Sequence, residues 1–262
     1  MSETPNAFNN LYTREHLEPA LAPYIPKALL SPTLTRIIAT GFLTESGLTS
    51  IKNAVALALR GRTPRRILEL GCGAGGLTQH LAGVFSCHVV GVDSSSVAIS
   101  RARKDASTSL CTYLEVDFHA TGLQQESFAA VVSLDSLYLA KEPAVALREA
   151  GRLLAPRGGR LWFTVYAPRG TVDRRRFHKT EWGYAIAAAG LDIERHKNVS
   201  QQWRAVMREK HERRWQARAT LRAANGRSVE PDIAVSAAML GKDRQVGFLD
   251  AMSRIEITAR RS

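Results

Sequence analysis

From Arg66 onward, short apolar bursts alternate with helix-length stretches, and this alternation constrains the fold more than any other feature of the chain. The bursts are Arg66–Leu70, His88–Val92, Thr112–Val116, Ala130–Leu134 and Arg160–Val165, and between them lie Gly76–Val84, Ser95–Lys104 and Ala144–Leu154. Short apolar strands spaced by helices predict βαβ units and a parallel sheet. Local punctuation agrees: Glu142-Pro143 starts a helix, because proline is tolerated at the first helical position, and Arg157-Gly158-Gly159 turns the chain into the next strand.

The flanks read differently. Ala7 to Arg60 carries no strand signal; Pro19, Pro23 and Pro26 break its first part into short helices or turns, and Thr33–Thr40 and Thr49–Leu59 repeat apolar residues at helical spacing. After Tyr166 come a basic loop (Ala167–Lys179), a helix over Glu181–Ala189 ended by Gly190, and a sixth strand at Leu191–Val199. Ser200–Ala224 reads as one helix closing at Asn225-Gly226, with Trp203, Met207, His211 and Trp215 four apart. Pro231–Leu240 is a further helix, and Ser253–Ala259 alternates as a last strand. The expected organisation is an N-terminal helical cap (1–60), a core built from 61–199 and 251–262, and a helical insert or lid (200–250).

The net charge of +12 raises the question of an acidic partner. The basic residues are mostly arginines scattered through every segment, so a solvated surface is favoured over a nucleic-acid footprint. No apolar run approaches the roughly 20 residues of a membrane span, and the first residues lack a signal-peptide pattern. Cys72, Cys87 and Cys111 are odd in number and lie in or beside strands, as buried free thiols of a reducing cytoplasm would. No group of side chains has metal-ligand spacing, so no metal is expected.

Chemistry concentrates in "RILELGCGAGGLT". Its Gly71-x-Gly73-x-x-Gly76 has the spacing of a dinucleotide fingerprint, yet the overlapping Glu69-x-Gly71-x-Gly73-x-Gly75 points to another nucleoside cofactor. Asp93, about twenty residues on, can accept both ribose hydroxyls and serves either reading. Asp117 followed by Phe118, at the end of the third strand, discriminates: the acid can accept from an adenine amino group while the ring stacks.

These residues together resemble the class I S-adenosylmethionine-dependent methyltransferases. "LELGCGAGG", "VVGVD", "EVDF", "FAAVVSLDSLYLA" and "ALREAGRLLAPRGGRLWFT" follow the family's ordered motifs over roughly Arg66 to Val165. The resemblance implies an α/β, Rossmann-like, doubly wound sheet of seven strands, with Leu191–Val199 sixth and Ser253–Ala259 an antiparallel seventh. It implies S-adenosylmethionine as cofactor and S-adenosylhomocysteine as product. Gly71, Cys72, Gly73 and Gly75 would flank the methionine and ribose portions, and Glu69 would face the amino group. Asp93 and Ser94 would hold the ribose, Asp117 and Phe118 the adenine, Ser133 and Leu134 the methionine chain, and Tyr12 could close over the cofactor.

For the acceptor, Asp135, Tyr138 and Tyr166 follow the fourth and fifth strands. "SLDSLY" resembles small-molecule N-methyltransferases, in which an acid at this place lies near the acceptor; the competing role for Asp135 is a helix cap. His178, Trp182, Trp203 and His211 could wall the pocket, although a helix face packed on the core is the favoured role for the stripe from Trp203. Methyl transfer to a small N, O or C nucleophile, largely by positioning, is the leading function. The alternatives are a cyclase-type reaction on the same cofactor, an RNA or protein methyltransferase using the basic surface, and an NAD oxidoreductase. The expected partner is a small-molecule acceptor rather than a membrane or nucleic acid, with a homodimer possible.

Overall fold

The computed structural model describes residues 18–26, 31–37, 42–61, 65–243 and 246–261. Tyr12 lies outside the described residues.

Strands form where the apolar bursts stand: β1 (Arg66–Leu70), β2 (His88–Asp93), β3 (Cys111–Glu115), β4 (Ala130–Ser133), β5 (Arg160–Pro168), β6 (Leu191–Asn198) and β7 (Met252–Arg261). They make one seven-stranded sheet in the order β3-β2-β1-β4-β5-β7-β6. β1 to β5 pair in parallel, and β7 runs antiparallel between β5 and β6. The expected doubly wound sheet with an antiparallel last strand is therefore present.

Side chains alternate across the sheet, and both faces are buried, as a sheet covered by helices on both sides requires. Leu68, Leu70, Val90, Val131, Leu161 and Phe163 point to one face. There they meet α4 (Pro143–Leu153) and α5 (Glu181–Ala188) through Leu147, Leu153, Trp182 and Ile186. Ile67, Val89, Val132 and Trp162 point to the other face, against α1 (Glu45–Leu59) and α2 (Gly76–Phe85) through Leu48, Ile51, Leu77 and Leu81. α1 is capped by Thr44, whose Oγ1 accepts from the Gly47 amide at 3.2 Å, a cap typically worth about 1 kcal/mol. α3 (Ser96–Lys104) covers the sheet beside β3, with Ile99 and Ala102 packed on Cys72 and Tyr113.

Between β6 and β7 the chain makes α6 (Ser200–Gln216), α7 (Arg218–Asn225) and α8 (Glu230–Leu240). The single helix expected over 200–224 is thus two, broken at Ala217. No glycine or proline marks the break. Trp215 and Leu221, on either side of it, pack on one cluster with Val229 and Ile233, so tertiary contacts turn the chain there. Trp203 is fully buried on α6 with Val206 and Met207, packed against Phe42 and Leu249.

Candidate functional site

The order reverses at β1, whose neighbours β2 and β4 lead to opposite ends of the sheet, so the loops after β1 and β4 diverge around a crevice at the strands' C-terminal ends. The glycine loop occupies this place. Gly71, Gly73 and Gly75 all have positive φ (72°, 52° and 81°), a region that L side chains avoid. Two have no room for a side chain. A Cβ on Gly71 would stand 2.2 Å from Ser136 Cβ, and one on Gly75 2.7 Å from the Tyr113 ring. The turn closes through the Gly75 amide to the Cys72 carbonyl (2.9 Å), while the Gly71 and Cys72 amides donate to the Val92 carbonyl (2.8 and 2.9 Å).

Asp93, at the tip of β2, locks this loop to the sheet. Its Oδ2 accepts from the Gly73 amide at 2.8 Å and its Oδ1 from the Ser95 amide at 2.9 Å. Burial raises the Asp93 carboxyl, and those amide donors hold it back. Ser94 beside it is exposed. Beneath the loop, Glu69 is buried with the Thr78 hydroxyl as its donor (2.5 Å). Burial pushes Glu69 up to about 8, the Thr78 bond opposing and the charge of Asp93 adding to it. A buried acid whose partner among the described residues is a neutral hydroxyl is suited to a ligand that brings a positive charge.

Asp117 stands at the end of β3 with an exposed carboxylate whose Oδ1 accepts from the His119 amide (2.8 Å) and its ring Nδ1 (2.6 Å). Burial of the Asp117 carboxyl acts upward, but the His119 bonds outweigh it and leave the group below its usual range. Phe118 packs at the margin of the core, its ring centroid 5.0 Å from that of His119. Ser133, expected beside the methionine portion, stands at the end of β4. Its hydroxyl is fully buried, 2.5 Å from Ser136 Oγ and accepting from the Leu137 amide, so only its main chain is left to meet a ligand. Leu134 packs at the edge of the core. Cys72 is a buried free thiol, raised well above its usual value by burial and by Glu69 and Asp93.

The acceptor-side expectations converge on a residue that the sequence reading passed over. Arg254, at the start of β7, pairs in register with Tyr166 on β5 and is 2% exposed. Its Nη1 lies 2.5 Å from Asp135 Oδ1 and donates to Tyr166 Oη at 2.9 Å; Nη2 donates to the Phe42 carbonyl at 3.0 Å. The guanidinium also faces the Phe42 ring (5.1 Å) and the Tyr166 ring (5.5 Å). Asp135 completes the bracket: Thr164 Oγ1 donates to Oδ1 at 3.1 Å and the Phe42 amide to Oδ2 at 2.6 Å. Burial alone would pull the Arg254 guanidinium down; the charge of Asp135, with the Tyr166 oxygen accepting from it, outweighs burial and holds it above its ordinary value. Burial pushes the Tyr166 phenol up to about 12 against the pull of Arg254.

Asp135 is therefore no helix cap. It sits at φ 54°, a left-handed conformation that aspartate tolerates better than most residues, with both carboxylate oxygens held by the chain itself. Tyr138 packs edge-on against Tyr166 with centroids 4.8 Å apart, and Tyr166 in turn meets Trp203 at 5.1 Å. Trp203 thus joins this bracket as part of a packed helix face. Trp182 does not join it, because it lies in the core against Phe163, and His178 is exposed ahead of α5. His211 is buried between α6 and α8 with Nδ1 3.1 Å from Ser236 Oγ, and burial pulls it down to about 3.

Comparison with known proteins agrees with this geometry. Residues 67–158, from β1 to the turn before β5, match the methyltransferase domain family. A fatty-acid O-methyltransferase of Mycolicibacterium smegmatis is 30% identical over 130 residues, covering 49% of this chain and 44% of that one. A ubiquinone biosynthesis O-methyltransferase of Hahella chejuensis is 25% identical over 191 residues, covering 71% and 74% respectively. The chain thus spans less than half of the first relative and about three quarters of the second. Among solved structures, the cyclase SpnF superposes with a TM-score of 0.67 at 21% identity, covering 96% of this chain and 93% of that one, a likeness of fold. Residues 67–158 are thus similar to the methyltransferase domain family, and the seven-stranded sheet with its antiparallel last strand has the class I methyltransferase fold.

Proposed function

We propose that this chain transfers the cofactor's methyl group to a small-molecule nucleophile held between the sheet's C-terminal edge and α6. The reading rests chiefly on the joining of glycine loop and second strand, where Asp93 Oδ2 accepts from the Gly73 amide at 2.8 Å. That bond holds a partly buried carboxylate beside a loop that has no room for side chains at Gly71 and Gly75.

In this reading Asp93, with Ser94 alongside, accepts from the ribose hydroxyls. Glu69 ionises against the amino group, and Asp117 and Phe118 hold the adenine. Gly71 to Gly75 and the main chain at Ser133 and Leu134 bound the methionine portion. When bound, the cofactor supplies an electrophilic methyl group on a sulfonium, so the chain's task is alignment and exclusion of water, which can be worth up to about 7–11 kcal/mol. Asp135, Arg254 and Tyr166 give the acceptor side a rigid polar floor. With both its oxygens occupied, Asp135 orients this floor and does not serve as a free base.

The relatives' names point to small acceptors at oxygen: fatty acids and ubiquinone biosynthesis. The likeness to SpnF keeps a cyclase-type reaction as the second reading. Product analysis decides between them. S-adenosylhomocysteine formed in step with a methylated acceptor supports transfer. Turnover that forms no S-adenosylhomocysteine, or that yields methylthioadenosine, contradicts it.

A further inference from the structure

Two acids share the pocket beneath the glycine loop, and among the described residues no cation acts on either. Glu69 on β1 pairs in register with Gly91 on β2, and Asp93 ends β2 two residues on. Both Asp93 oxygens accept from amides, of Gly73 at 2.8 Å and of Ser95 at 2.9 Å, whereas Glu69 is only 3% exposed. The other titratable groups facing Glu69 are Cys72 in the loop and Cys111 and Tyr113 on β3. Burial raises all three, so they stay protonated and uncharged. Two like charges in one buried site are costly, so one of the acids carries a proton while the site is empty of ligand. The amides favour the ionised form of Asp93, which leaves the proton to Glu69, in keeping with its rise to about 8.

A single residue ties Glu69 down. Thr78 is fully buried in the first turn of α2, and its hydroxyl donates to Glu69 Oε2 at 2.5 Å. The Thr78 amide also acts to favour the ionised carboxylate. Gly91 makes room for this contact: a Cβ there would stand 2.8 Å from Thr78 Oγ1 and 2.9 Å from Cys72 Sγ. The strand, the loop and the helix thus leave a space that one hydroxyl fills, and that hydroxyl sets where Glu69 stands.

We propose that Thr78 is a positioning residue for the cofactor's amino group: its hydroxyl fixes a Glu69 that is protonated in the ligand-free protein, and the incoming ammonium displaces that proton to solvent. Glu69 loses a proton and accepts from the ammonium, so the net charge of the pocket is the same before and after binding. This inference rests on the S-adenosylmethionine reading and adds to it a proton and the residue that governs it.

The test is calorimetric titration of the full chain with S-adenosylhomocysteine in phosphate and in Tris, whose different ionisation heats count the protons released. At pH 7 wild type should release about one proton per ligand bound. Methylthioadenosine, which lacks the amino-acid portion, should release none, and Glu69→Gln should bind S-adenosylhomocysteine without release. The wild-type affinity for S-adenosylhomocysteine should rise with pH and level off above about 8. Thr78→Val keeps the shape but loses the donor, so it should move that midpoint up by about one unit and weaken binding at pH 7 about tenfold. Methylthioadenosine affinity should not change in this variant, and Thr78→Ser should restore the wild-type behaviour. No proton release by wild type, undiminished release in Glu69→Gln, an unmoved midpoint in Thr78→Val, or an equal loss for both ligands overturns the proposal. Failure of folded wild type to bind either ligand overturns it together with the cofactor reading, and melting temperatures of the same samples report loss of the fold.

Discussion

Replacing Arg254 by Met should destabilise the protein strongly, and Asp135 is the reason. The substitution preserves much of the side-chain volume between the Phe42 and Tyr166 rings but removes the charge 2.5 Å from Asp135 and the donors to Tyr166 Oη and the Phe42 carbonyl. The Asp135 side chain is 9% exposed, so water cannot take the place of the guanidinium. Breaking a buried pair by removing one partner costs roughly 3–5 kcal/mol. For a chain of this size that corresponds to a fall of about 10 °C in melting temperature. Asp135→Asn is a suitable partner, because asparagine also tolerates the φ of 54° found there. In the double variant neither charge is left alone, so its loss should be smaller than the sum of the single losses by about 2–3 kcal/mol. Urea denaturation of the four proteins measures the cycle. A single Arg254→Met loss below about 1 kcal/mol, or strict additivity, refutes the view that the bracket acts as one unit.

Three further outcomes follow from the same geometry. Gly75→Ala places a Cβ 2.7 Å from the Tyr113 ring at a φ of 81°, so it should cost more than about 1–2 kcal/mol and reduce cofactor affinity. Gly122→Ala, with φ of 69° and nothing within 4 Å, should cost the backbone strain alone; equal losses for the two would contradict the close approach at Gly75. Glu69 has an ordinary value of 4.5 and is raised to about 8 on folding, so its stabilising contribution is complete at low pH and is lost as pH rises through 8. Stability of the ligand-free protein should therefore fall between about pH 5 and 8, and Glu69→Gln should flatten that slope in urea titrations; an unaltered slope contradicts the assignment. Asp135→Ala should leave S-adenosylhomocysteine binding within a few-fold of wild type while lowering turnover, and full activity would remove Asp135 from the acceptor side.

What the chain discloses before folding is set by how local the signals are. β1, β2 and β5 are buried on both faces, so they read as mostly apolar runs, with Glu69 and Thr164 as buried polar interruptions, and were legible to within a few residues. The glycine loop with Asp93 was legible because a positive-φ turn and a strand-end acid leave marks at fixed spacing. Arg254 left no such mark. In "SRIEITA" it looks like the solvent side of an alternating strand, and only the antiparallel pairing of β7 with β5 brings it to Tyr166 and Asp135. The burial of the Ser133 hydroxyl and the placing of Trp182 in the core against Phe163 were equally hidden, since each depends on contacts between distant elements. Helical spacing did identify the Trp203 stripe as a packed helix face.

The central claim, that the loop after β1 and the acid ending β2 hold a sulfonium nucleoside, is tested most directly by calorimetric titration of wild type and Asp93→Ala with S-adenosylhomocysteine. The account predicts one site per chain in wild type and, in a variant still folded by circular dichroism, a loss of roughly 100-fold or more, since two hydrogen bonds to a charged acceptor are removed. Equal affinity in the two proteins, or no binding by folded wild type, would contradict it.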